Sequence, residues 1–137
     1  IQPSLETDAY KHLGGYGQSI LILVTDDQNT WLSDTDMNLL TAILNACKLN
    51  MNDIAIANIK RMQHKNIDDY VESMLPAHLL IFGSITTGLF NEQAQLFNLH
   101  TTKQMKWMKS PALSTLPQQP ESKKALWLSL KTMFEIQ

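Results

Sequence analysis

Cysteine is nearly absent from this sequence: Cys47 is the only one in 137 residues. A single thiol excludes an intramolecular disulfide framework, and with it the four-cysteine sites that hold iron–sulfur clusters or structural zinc. It also agrees with a reducing compartment, so the expected location is the cytoplasm. Apolar runs are short. None approaches the roughly 20 residues that carry a helix across a bilayer, no signal peptide is visible, and no membrane contact is expected. Neither sign of charge dominates, because 11 basic and 13 acidic residues leave a net charge of −2. The whole molecule is therefore no electrostatic nucleic-acid binder, and such a contact needs a local patch. The five glycines build no G-x-G-x-x-G, P-loop or G-x-S-x-G motif. His12, His64, His78 and His100 are scattered, with no H-E-x-x-H pair and no zinc spacing. Neither a metal nor a cofactor is expected.

What is present describes one domain. The length suits a single core, and 44% hydrophobic with 18% charged residues is a globular composition. Ile1 to Gln18 is polar, with Gly14-Gly15, Gly17 and at most a helical turn around Ala9 to Leu13. It reads as a loose N-terminal arm, either a poorly ordered terminus or a peptide that orders on a partner. Residues 19–137 form the domain. Ile20 to Val24 is a continuous apolar run, the mark of a strand buried on both faces of a parallel sheet. Ser33-x-x-Asp36 resembles a capping box ahead of a helix whose stripe is Met37, Leu40, Leu44 and Cys47, widened by Leu39 and Ile43. Ile54 to Asn58 predicts a second strand, Ile67 to Leu75 a short helix stopped by Pro76, and Leu79 to Phe82 a third strand ended by Gly83. Gly88-Leu89-Phe90 falls in the following loop or short helix. Gln95 to Leu99, or Gln104 to Met108, supplies a fourth strand. Pro120 suits the first position of a closing helix, on which Leu126, Trp127, Leu130, Met133 and Phe134 make one apolar face.

Two groups of residues carry candidate chemistry. Asp26-Asp27 follows the first strand, at the sheet edge where α/β proteins bind ligands and where a carboxylate can serve as a base. The plainer reading is a solvated turn with an Asx-type hydrogen bond. Lys103, Lys106 and Lys109 flank Trp107, a combination able to neutralise phosphates and stack bases of single-stranded DNA. On a strand, however, that spacing splits the lysines between the two faces. The plainer reading there is an edge strand guarded by lysines.

The residue order resembles the psi subunit of bacterial DNA polymerase III. The resemblance is carried by Leu21 to Val24, Leu32-x-Asp34, Leu39 to Leu44, Met74-Leu75-Pro76, Phe82-Gly83, Ser110-Pro111-Ala112-Leu113-x-x-Leu116 and Lys124-Ala125-Leu126-Trp127. It covers roughly residues 20 to 134, and the S-P-A-L-x-x-L followed by K-x-L-W is its most specific part. It implies a small, non-catalytic, cytoplasmic protein that bridges the clamp loader to a chi-like subunit. Through that subunit it would be linked indirectly to single-stranded DNA-binding protein. In that family a basic, Trp-containing segment before the first strand folds on the clamp loader, a pattern that Ile1 to Gln18 carries little of. The psi fold is similar to that of uracil-DNA glycosylases, which implies a three-layer α/β sandwich with a four-stranded, mainly parallel sheet. Leu39-Leu40-x-x-Ile43-Leu44, Asp53-Ile54-x-Ile56-x-Asn58, and Ser110-Pro111-Ala112 through Pro120 and Trp127 resemble glycosylase segments.

The glycosylase resemblance implies a degenerate site. Such enzymes stabilise charge with a histidine just before the proline, and here Ser110 stands there. The loop that closes over the base is replaced by Thr25-Asp26-Asp27-Gln28, and only Asn58 matches a pocket asparagine. The expectation is an accessory or scaffold subunit with no catalytic residues. The alternative is a divergent glycosylase or nucleic-acid-binding relative: Asp26 or Asp27 positions water, Asn58 reads the base, and Lys106, Trp107 and Lys109 hold the strand. A third reading is a domain that kept the fold and lost both roles.

Overall fold

The computed structural model describes residues 13–26, 31–59, 67–83, 99–102 and 105–134. The expectations placed on Ala9 to His12, Asp27, Gln28, Gly88 to Phe90, Gln95 to Asn98 and Lys103 lie outside them. Elements follow in the order β1 (Ile20–Val24), α1 (Asp34–Ala46), β2 (Ile54–Asn58), α2 (Ile67–Met74), β3 (His78–Phe82), β4 (His100–Thr102), β5 (Met105–Ser110) and α3 (Pro120–Met133), with a short 3₁₀ turn at Leu116–Gln118. The strands form one sheet in the order β2-β1-β3-β5-β4. All neighbours are parallel except β4, which runs antiparallel to β5.

The described sheet thus has five strands, not the four expected from the sequence. The extra one is His100–Thr102, three residues with no alternation long enough to reveal a strand. Strand β5 covers most of the Gln104–Met108 alternative and runs on to Ser110, so Ser110 closes a strand and the turn begins at Pro111.

Alternation along the strands assigns the two faces. Ile20, Ile22, Val24, Ile54, Ile56, Leu80, Phe82 and Met108 point to one side, where Leu40 and Leu44 of α1 and Leu126, Leu130 and Met133 of α3 cover them. Leu21, Leu23, Ala55, Ala57, Leu79, Ile81, Met105 and Trp107 point to the other, where Tyr70 and Val71 of α2 pack. All of β1 and β2 is buried, as expected for parallel strands with helices on both faces. The result is an α/β domain in layers, with α1 and α3 on one side of the sheet and α2 on the other.

Both ends of α1 are built by identifiable devices. Ser33 Oγ accepts from the Asp36 amide at 3.2 Å, the first half of the capping box. The reciprocal bond comes from elsewhere: the Ser33 amide donates to Asp26 Oδ2 at 3.1 Å. At the other end Leu49 N–H reaches the Leu44 carbonyl (2.8 Å) and Lys48 N–H the Asn45 carbonyl (3.0 Å). That is the Schellman pattern, and it places Lys48 in the left-handed region at φ 63°. Lysine bears a Cβ penalty there that glycine lacks. Lys48→Gly is therefore expected to stabilise the protein by about 1 kcal/mol, read as a higher urea midpoint at unchanged slope. A midpoint that falls would contradict the cap.

Residues 13–18, assigned by the sequence to a loose arm, belong to the domain. Leu13 exchanges two backbone hydrogen bonds with Ile56 (2.9 and 2.8 Å), and the amides of residues 15 to 18 donate in turn to the carbonyls of Met51, Ile54, Asn52 and Asp53. This segment clothes part of the outer edge of β2, which would otherwise offer open ladder groups. Gly14 sits at φ 110°, with the Ile54 carbonyl where a Cβ would stand. No other residue fits there.

Candidate functional site

In an open α/β sheet the expected ligand crevice lies outside the carboxyl ends of the strands, where adjacent strands send their connections to opposite faces. Here the strand order reverses between β1 and β3, with β2 on one flank of β1 and β3, β5 and β4 on the other. The residues that meet there are Thr25 and Asp26 after β1, Asn58 at the end of β2, Gly83 after β3, and Ser110 and Ala112 at the end of β5.

They meet closely. Gly83, at φ 115°, donates its amide to the Ser110 carbonyl at 2.9 Å. A Cβ on it would stand 3.0 Å from Thr25 Oγ1 and 4.0 Å from Ala112 Cβ. Ser110 is 1% exposed, and its hydroxyl donates to the neighbouring Pro111 carbonyl at 3.0 Å. Asn58 is 2% exposed. Its Oδ1 accepts from the Asp26 amide at 3.0 Å, and its Nδ2 donates to the Asp26 carbonyl at 2.8 Å. This reciprocal pair imitates a peptide unit and ties the end of β2 to a residue two positions past the end of β1. The carboxamide edge that would read a base is thus turned onto Asp26, and Asp26 in turn holds the start of α1 through Ser33. Asp36 lies near the same corner, and its carboxyl titrates above the usual range, first because of burial and then because of the Asp26 charge.

The second candidate group separates in space. Lys106 is exposed, whereas Trp107 is 4% and Lys109 7% exposed. Trp107 belongs to the core beneath α2 and stacks on His100, with centroids 4.3 Å apart and planes at 24°. Its ring faces are not offered to a nucleic acid. The alternation does place Lys106 and Lys109 on opposite faces, the first exposed and the second buried. Lys103 and Asp27 lie outside the described residues. Among the described residues no group of three metal-ligating side chains occurs, and no helix is long and apolar enough to cross a membrane. The Cys47 thiol is buried, and desolvation pushes its pKa up to about 11, so it is no ready nucleophile.

One feature escaped the sequence. Between α1 and α3, on the solvent side of their layer, lies a groove of about 270 Å³. Leu39, Ala42, Ile43 and Ala46 form one wall, Trp127, Leu126, Leu130 and Lys123 the other, and Leu116 contributes as well. The available signal was the width of the α1 stripe, since Leu40 and Leu44 suffice to face the sheet while Leu39 and Ile43 lie beside them. Compared with protein-family models and with characterised proteins, the sequence matches none.

Proposed function

We propose that the protein is a non-catalytic accessory subunit of the bacterial replicative DNA polymerase, psi-like and associated with the clamp loader, on a glycosylase-like scaffold. The observation that carries this reading is the way the polar side chains at the strand ends are engaged. Asn58 and Asp26 are bonded to each other, Asp26 also holds the start of α1, and Ser110 is buried where a glycosylase would need an imidazole. A base-excising site needs an open, base-sized pocket and an electrostatic stabiliser of the developing charge. That Asp26 and Asn58 bond to each other and the Ser110 hydroxyl to its own backbone supports a non-catalytic reading. The S-P-A-L-x-x-L and K-x-L-W segments, which carry the psi resemblance, build instead the β5 turn and the α3 packing face. The layered α/β fold with its mainly parallel sheet supports the same scaffold.

The test is assembly. The purified chain is mixed with purified clamp-loader subunits and with a chi subunit, and the mixtures are resolved by size-exclusion chromatography. The expected result is a stoichiometric complex with at least one of them. Elution as separate species from every one of them would remove the replication role while leaving the fold untouched.

A further inference from the structure

The groove between α1 and α3 has the shape and charge of a receptor for one helix. At about 270 Å³ it falls below the roughly 300–1,000 Å³ typical of small-molecule pockets. Two helices side by side on one sheet face leave between them a channel into which the side-chain ridge of a third helix fits. Ala42 and Ala46 stand one turn apart on the α1 wall and are exposed, so a partner backbone can approach closely there. Across from them Trp127 is only partly buried, and a half-exposed tryptophan beside leucines is the kind of side chain that anchors interfaces. The electrostatics decide what flanks the ridge. Among the described residues Lys123 is the one ionisable residue lining the groove, and Lys131 adds a second cation over the Trp127 ring, 5.9 Å from its centroid. Among the described residues no carboxylate lines it.

We infer that this groove binds an amphipathic helix of a partner protein, with an apolar ridge seated against Leu39, Ala42, Ala46 and Trp127 and acidic side chains set against Lys123 and Lys131. The inference rests on reading the protein as a partner-binding subunit and adds the surface and chemistry of the contact. Complementary charge supplies orientation and discrimination between partners more than bulk affinity, which fits a groove with an apolar floor flanked by Lys123 and Lys131.

The experiment uses the full chain and two synthetic amphipathic helical peptides that share a leucine ridge, one flanked by glutamates and one by lysines. Binding is followed by fluorescence anisotropy and by amide shifts in a nitrogen-15 spectrum. The glutamate-flanked peptide is expected to bind more tightly and to shift residues of α1 and α3. Ala46→Arg, which projects a long cation into the channel from an exposed position, is expected to weaken it by at least about tenfold. Lys123→Glu is expected to invert the preference between the two peptides without altering the thermal midpoint. Shifts confined to other surfaces, or a preference that survives Lys123→Glu, would overturn the inference. So would a second copy of the chain in the groove, seen as a dimer that Ala46→Arg dissociates. So too would occupation by residues 1–12, seen as shifts of their resonances in Ala46→Arg without peptide. If clamp-loader subunits fail to bind while the peptide preference holds, the groove stands and the replication role falls. If they bind Ala46→Arg as tightly as wild type and the peptides ignore the groove, the reverse follows.

Discussion

Replacing Asn58 by alanine is expected to lower the unfolding free energy by about 2–4 kcal/mol. The reason is the loss of two hydrogen bonds at once, which strands the Asp26 amide and carbonyl in a part-buried corner where each unsatisfied group costs about 1–3 kcal/mol. The discount from the full sum allows for water reaching the emptied site. Because domains of this kind are stable by only about 5–15 kcal/mol, the change should be plain in a urea or thermal melt. Asn58→Asp tests the same point with the shape nearly kept. A carboxylate cannot donate to the Asp26 carbonyl and buries a charge, so it too is expected to destabilise. Asp26→Asn, which keeps an acceptor for the Ser33 amide and leaves the backbone pair with Asn58 intact, is expected to change stability by less than about 1 kcal/mol. If Asn58 were instead a pocket residue facing a substrate, its truncation would leave stability near the wild-type value.

The second large effect belongs to Trp107. Its burial beneath α2 and its stacking on His100 make Trp107→Ala a core deletion, expected to cost about 3–5 kcal/mol. Trp107→Phe keeps an aromatic ring for His100 and should cost less. Lys106→Ala, at an exposed position of the same strand, is expected to stay within about 0.5 kcal/mol of wild type. The measurement is equilibrium denaturation of the three variants together, alongside their binding to single-stranded DNA at low salt. An interface of stacking and phosphate contacts would give the opposite pattern, with unchanged stability for Trp107→Ala and weakened, salt-dependent binding for both Trp107→Ala and Lys106→Ala.

The parts of the fold legible in the sequence are those set by local periodicity. The apolar runs at Ile20–Val24 and Ile54–Asn58, the stripe of α1, and Pro120 at the first position of α3 all carry their structure within a few residues. Four things were not legible, each for a physical reason. Gly14, Gly15 and Gly17 suggested looseness, but at all three a Cβ would crowd a backbone carbonyl of Met51, Asn52 or Ile54. Their missing side chains let two segments pack closely, and nothing local in the sequence distinguishes that from flexibility. Strand β4 depends on pairing with β5 rather than on its own three residues. The completion of the α1 cap by Asp26, and the groove between α1 and α3, join residues separated by a loop or by most of the chain. In the candidate site, Asp26, Asn58 and Ser110 were each identified by position, and three-dimensional structure adds that Asp26 and Asn58 hold each other in place while the Ser110 hydroxyl turns to its own backbone.

The corner built by Asp26, Asn58 and Ser110 is tested most directly on its chemistry, by base release. Full-length protein in molar excess is incubated with a uracil-containing single-stranded oligonucleotide, and abasic sites are revealed by alkaline cleavage. The predicted result is no release above the protein-free control, for wild type and for Asp26→Asn alike. Release that rises with protein concentration, and that is lost in Asp26→Asn while the protein stays folded, would contradict it.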